Sequence, residues 1–73
     1  GHGSAPTLVG TGKANPIATF LATAMMLDYL NETESAERLR NAVEACIANN
    51  ESTPDLGGDL TTSQVTEKVI QHL

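Results

Sequence analysis

The sequence has no tryptophan, one phenylalanine (Phe20) and one tyrosine (Tyr29), an aromatic content of 3%. Aromatic side chains supply the largest apolar area per residue, so their scarcity points away from a self-sufficient core. There is one cysteine, Cys46. It has no partner for an internal disulfide, and no CxxC or HxxxH spacing suggests a metal site. On the apolar face of a helix such a residue reads as core packing. Only four side chains are basic, Lys13, Arg38, Arg40 and Lys68, against nine acidic ones, and the net charge is −5. They are scattered, with no basic patch, which argues against a nucleic-acid partner. No apolar run approaches the roughly 18 residues that a membrane-spanning helix needs. The polar, glycine-rich start is unlike a signal peptide, and the expected setting is soluble and cytoplasmic.

The remaining composition is arranged in order. Residues 1–15 hold four of the six glycines and show no sustained period of 2 or 3.6, so they read as an ordered loop. Ala5-Pro6 is an extended step. Asn15-Pro16 then starts a helix: asparagine is among the best N-caps, and proline at the first helical position loses no needed hydrogen bond. The segment 16–30 carries no charge until Asp28 and is apolar on nearly every side. Such a helix is buried on most faces, with Met25 and Met26 in the core. A chain of 73 residues is too short to cover it, which points to a piece of a larger protein or to an oligomer.

The spacing predicts a second, amphipathic helix over 34–48. Ala36, Leu39, Val43, Cys46 and Ile47 form its apolar stripe, and Glu34 and Arg38 stand at the i,i+4 separation of a helical ion pair. Asn31-x-x-Glu34 has the form of a capping box before it, and Asn49-Asn50 suit its end, because asparagine tolerates the left-handed conformation. A loop over 51–60 contains the turn signals Thr53-Pro54 and Gly57-Gly58, with Asp55 as a turn-former. Thr61-x-x-Gln64 opens a third helix over 62–72, with Val65, Val69 and Leu73 four apart on one stripe and Ile70 beside it. No strand is written in the chain. The fold class expected of this segment is therefore all-α: a glycine-rich loop and three helices.

Motifs for nucleotide chemistry fail in their usual forms. Gly10-Thr11-Gly12-Lys13 is followed by Ala14 where a P-loop needs serine or threonine, and Gly3 and Gly10 do not make GxGxxG. Lys13 reads as a solvated loop charge. Ser4 lies outside any GxSxG elbow, since Pro6 follows. Asp55 and Asp59 are too sparse for a calcium loop. His72 falls in a last helical turn and receives no role.

A different pattern is present. His2-Gly3-Ser4-Ala5-Pro6, then Gly10, then Ala14-Asn15-Pro16-Ile17-Ala18 resembles the HGSAPDIAGKxxANPxA signature of the β-decarboxylating dehydrogenases, which include isocitrate, homoisocitrate, isopropylmalate and tartrate dehydrogenases. The likeness continues through Ala24-Met25-Met26-Leu27, the helix around Ala36 to Val43, and Thr53-Pro54-Asp55-Leu56-Gly57-Gly58 with Thr61-Thr62. It covers essentially the whole chain, in the order of that family's C-terminal end. TPDLGGD and MMLDYL look most like the homoisocitrate and isocitrate enzymes, with isopropylmalate dehydrogenase next.

The resemblance implies that the segment belongs to the large α/β domain of a non-Rossmann dehydrogenase. It implies that loop 1–15 binds the adenosine end of NAD or NADP. His2 would lie against the adenine and Asn15 would hydrogen-bond its edge. Gly3, Ser4, Ala5 and Leu8 would line the pocket through their backbone. Thr7 stands where NAD-using members carry aspartate and some NADP-using ones carry lysine, so the cofactor choice stays open, with NAD preferred because no cation replaces the aspartate. Thr11-Gly12-Lys13 departs from the common Lys-x-Ile. The family's substrate arginines, its Mg²⁺- or Mn²⁺-binding aspartates and its Tyr–Lys acid–base pair have no counterpart here, and Tyr29 does not correspond to that tyrosine. The implied partners are the remainder of the large domain and further subunits in a dimer or higher homo-oligomer, in the mitochondrial matrix if the source is eukaryotic. Catalysis by these 73 residues alone is not expected. The alternative reading is a stand-alone helical interaction or oligomerisation module.

Overall fold

A computed structural model describes residues 15–73. Three helices follow in order: α1 (Ile17–Tyr29), α2 (Thr33–Ala48) and α3 (Thr62–His72), with a single 3₁₀ turn over Pro54–Leu56 between the last two. No strand occurs among the described residues. The middle helix packs against both others. Its buried side chains are Ala36, Leu39, Ala42, Val43 and Cys46. Ile17 and Ala24 of α1 and Val65 and Val69 of α3 complete the core, with Phe20, Leu27 and Leu60 against its edge. Val65 and Val69 are fully enclosed, and burial of each stabilises the docking of α3 by about 1.5–3 kcal/mol.

Each helix begins or ends for a local chemical reason. Pro16 has helical dihedrals (φ −82°, ψ −4°), and its carbonyl accepts the first helical hydrogen bond from Phe20 N–H at 3.1 Å. Both α1 and α2 terminate in Schellman motifs built on a left-handed asparagine. Asn31 (φ 64°) ends α1: Asn31 N–H donates to Asp28 O at 3.0 Å and Glu32 N–H to Leu27 O at 2.8 Å. Asn50 (φ 57°) ends α2 through the equivalent bonds, Asn50 to Ile47 at 3.0 Å and Glu51 to Cys46 at 2.8 Å. The start of α3 is a complete capping box. Thr61 Oγ1 accepts from Gln64 N–H at 3.2 Å, and Gln64 Oε1 accepts from Thr61 N–H at 2.9 Å.

Several sequence expectations are corrected. Asn31 does not open a capping box with Glu34: it is spent on the end of α1, and α2 starts after Glu32 with no side-chain cap. Glu34 and Arg38 are not recorded as a pair. Arg38 instead donates to the carbonyl of Leu73 at 3.1 Å, and Arg40 bridges back to Asp28 on α1 at 2.7 Å. Ile47 and Ile70 are exposed, while Ala42, absent from the expected stripe, is buried. The largest departure is α1. Met25, Met26 and Tyr29 are 70%, 63% and 87% exposed, and only Ile17 and Ala24 are buried. The described residues place α2 on one side of α1 and supply no layer for the other.

The turn after α2 is tight. Gly57 is left-handed (φ 89°), and a Cβ on Gly58 would lie 2.1 Å from the carbonyl oxygen of Ser52. That carbonyl accepts from Leu60 N–H at 3.0 Å, so it cannot move freely. Gly58→Ala is expected to cost about 1–3 kcal/mol through forced backbone displacement. Thr61→Ala, which removes one cap, should cost about 1 kcal/mol. Urea denaturation of both variants in the complete protein checks the ranking, and a Gly58→Ala midpoint at or above that of Thr61→Ala would contradict it.

Candidate cofactor-binding site

Of the residues expected to hold a nucleotide, Asn15 is the one within the described chain. His2, Gly3, Ser4, Ala5, Thr7 and Leu8 lie outside the described residues, as does Lys13. Asn15 is positioned by two hydrogen bonds. Its Oδ1 accepts from Ile17 N–H at 2.9 Å, the N-cap bond of α1 that the sequence led one to expect. Its Nδ2 donates to Asp55 Oδ2 at 3.1 Å, across 40 residues of chain. An asparagine amide has two donor hydrogens and two acceptor lone pairs. Among the described residues, one hydrogen and one lone pair of this half-exposed side chain have no further partner. The helix cap and a further polar contact are compatible duties.

Asp55 is the residue that sequence reasoning underrated. It sits in the 3₁₀ turn, where the buried Thr53 donates its hydroxyl to the other carboxylate oxygen. That hydrogen bond is the main reason the Asp55 carboxyl lies below the usual aspartate range; desolvation opposes it, and the hydrogen bond from Asn15 adds a smaller lowering. The Thr-x-Asp spacing was a legible signal for the local bond. No sequence signal marks the bond to Asn15, because it depends on the second turn folding back beside the start of α1. The effect is to pin the end of the glycine-rich loop to the TPDLGGD turn.

A second polar group lies just past the C-terminal end of α2. His72 Nε2 lies 2.9 Å from Glu51 Oε1, and Lys68 Nζ lies 3.6 Å from Glu51 Oε2. An ionised carboxylate only accepts, so the imidazole donates from Nε2. The hydrogen bond from His72 is the main reason the Glu51 carboxyl is pulled below the ordinary glutamate range, with Lys68 adding to it. The shallow cavity between α1, α2 and the C-terminus, lined by Leu27, Ser35, Arg38, Leu39 and Leu73, is about 230 Å³. That is below the size of usual small-molecule pockets, and no expected site residue lines it. No helix among the described residues is long and apolar enough to cross a membrane.

Comparison with known proteins agrees with the resemblance. Residues 1–69 match the family model described as isocitrate/isopropylmalate dehydrogenase. The chain is 53% identical over 72 residues to the isocitrate/homoisocitrate dehydrogenase of Thermus thermophilus, which covers 99% of this chain and 22% of that protein. It is 46% identical over 72 residues to the homoisocitrate dehydrogenase of Methanocaldococcus jannaschii (99% and 21%). It is 47% identical over 73 residues to the 3-isopropylmalate dehydrogenase of Streptococcus thermophilus (99% and 21%). The chain thus spans roughly a fifth of the length of the curated relatives it matches.

The Asp55 carboxylate gives a pH prediction. Its folded-state pKa is depressed, so the stability it contributes is fully present above the unfolded-state value and is lost as pH falls through the lower folded-state value. Asp55→Ala should lower the melting temperature at neutral pH and flatten its fall below the ordinary aspartate range. Parallel acid titrations of the two proteins would contradict the anchoring role.

Proposed function

The chain belongs to the isocitrate/isopropylmalate dehydrogenase family, and from that membership we propose that it forms the nucleotide-cofactor-binding C-terminal part of an NAD(P)-dependent oxidative decarboxylase. The substrate is a 2-hydroxy acid of the isocitrate, homoisocitrate or 3-isopropylmalate class, the compounds named in its relatives' descriptions. The family match over residues 1–69 carries the reading. The position of Asn15 at the mouth of α1, with one amide hydrogen free, fits a contact to the adenine edge.

When bound, the nicotinamide cofactor takes the hydride from the carbinol carbon of the substrate. The work of this chain is at the other end of that cofactor. In this proposal His2 would lie against the adenine face, and Asn15 would donate to the adenine edge while its amide carbonyl accepts from Ile17 N–H. The backbone of Gly3, Ser4, Ala5 and Leu8 would line the adenosine pocket, and Thr7 would meet the ribose. NAD is the favoured cofactor, because no cation stands at Thr7 to hold a 2′-phosphate. The Mg²⁺ or Mn²⁺ and the acid–base residues belong to parts of the protein outside this chain.

The exposed side of α1 supports the same assignment. Leu21, Met25, Met26, Tyr29 and Leu30 are all exposed large apolar residues on or beside one helix. A contiguous apolar face of this kind marks a surface made to be covered. The remainder of the large domain covers it, in an enzyme that assembles as a dimer or higher homo-oligomer. The stand-alone interaction module would cover it with a second copy instead.

Two outcomes are expected. In the complete enzyme, His2→Ala should raise the Kd for NAD about tenfold, about 1.4 kcal/mol, with a smaller effect on hydroxy-acid affinity. Unchanged NAD affinity in a fluorescence titration would remove His2 from the site. The 73 residues alone should bind a hydrophobic dye and melt without cooperativity. A monomer that melts in one sharp transition would instead favour the independent module.

A further inference from the structure

Cys46, Glu51 and His72 converge at the junction where α2 ends and α3 ends, and none of the three is assigned to the nucleotide. One ligand atom from each, the thiol sulfur, a carboxylate oxygen and an imidazole nitrogen, lie within 4.8 Å of one another. Cys46 is fully buried in the last turn of α2. Glu51 follows directly on the Schellman motif that closes that helix, so its backbone is fixed by the hydrogen bond from its own N–H to Cys46 O at 2.8 Å. His72 comes from the last turn of α3, which the buried Val65 and Val69 dock against α2. Three donors from two helix ends are thus delivered to one point by backbone that other interactions already hold.

We propose that Cys46 Sγ, Glu51 Oε1 and His72 Nε2 form a three-coordinate protein site for a divalent cation of the zinc class. The donor set is mixed: thiolate sulfur and imidazole nitrogen suit zinc and cobalt, whereas magnesium and calcium demand oxygen. In a tetrahedral site with bonds of about 2.0–2.3 Å, ligand atoms stand about 3.5 Å apart. From a spread of 4.8 Å, reaching that spacing asks for a movement of about 1 Å. Glu51 and His72 are already 2.9 Å apart. On binding, Nε2 exchanges its hydrogen bond to the carboxylate for the metal, and its proton moves to Nδ1 or to water. The thiol proton is released to water, and thiolate and carboxylate together neutralise the cation. Lys68, 3.6 Å from Glu51 Oε2, keeps that second oxygen engaged and leaves Oε1 as the single carboxylate donor. The fourth position is open to water. The site is a clamp that ties the end of the chain to the end of α2.

The site is independent of the nucleotide loop, and Co²⁺ tests it in the complete protein. Titration should give one equivalent whose spectrum carries a thiolate-to-metal charge-transfer band and intense tetrahedral visible bands, with a higher melting temperature. A site of carboxylates alone gives no charge-transfer band, so cobalt bound elsewhere is distinguished. Cys46→Ser, close to isosteric, should abolish the band. His72→Gln, at an exposed position, should weaken uptake at least tenfold. Circular dichroism confirms the helix content of both variants, and NAD binding should be unchanged in both. Absence of the band in the parent protein, or its persistence in folded Cys46→Ser, overturns the proposal. Loss of NAD binding in variants that keep the band would bear on the nucleotide loop instead.

Discussion

Everything in the described structure rests on one face of α2. Ala36, Ala42 and Cys46 are small, and they are the most completely enclosed residues of that helix together with Val43. Small side chains let neighbouring helices approach closely, and the valines of α3 and the Ile17 and Ala24 positions of α1 fill the space on either side. Because there are almost no aromatics, this packing has no large side chain to fall back on, so every enclosed methyl counts. Replacing any of these alanines by a larger residue would force the neighbours apart instead of filling a gap.

Around that face the chain reverses with little glycine. Asn31 and Asn50 carry the left-handed conformations that end α1 and α2, and each ends its helix through the same pair of backbone hydrogen bonds. Among the described residues glycine stands only in the turn where space and conformation require it, at Gly57 and Gly58. That turn has two tasks. It hides Ser52 and Thr53 beneath the return of the chain, and it raises Asp55 to meet Asn15. The end of the glycine-rich loop is therefore held by a polar contact at its helix cap and not by burial.

The uncovered side of α1 and the family assignment have a common physical origin. A helix apolar on all sides satisfies one face within these residues and requires further protein for the others. The curated relatives, of which this chain spans roughly a fifth, have ample chain for that purpose. The polar cluster after α2 follows a different logic. Glu51 gathers His72 and Lys68 there, and the only cysteine lies beside them.

The sequence by itself determined the three helices, the cap at Asn15, the capping box at Thr61 and the left-handed Asn50. These are decisions made by residues within a few positions of one another, where steric limits and local hydrogen bonds act directly. The order of motifs likewise placed the chain in its family. Tertiary structure alone decided which apolar residues are core. Met25, Met26, Ile47 and Ile70 have the hydrophobicity of buried residues, yet they lie outside, because burial depends on which neighbours a chain brings. Asn31 offered two local roles, cap of the following helix or end of the preceding one, and the two Schellman hydrogen bonds of α1 took it. The contacts of Asn15 with Asp55 and of Glu51 with His72 join distant parts of the chain, and no spacing rule encodes a meeting that only the packing of α1 and α3 on α2 brings about.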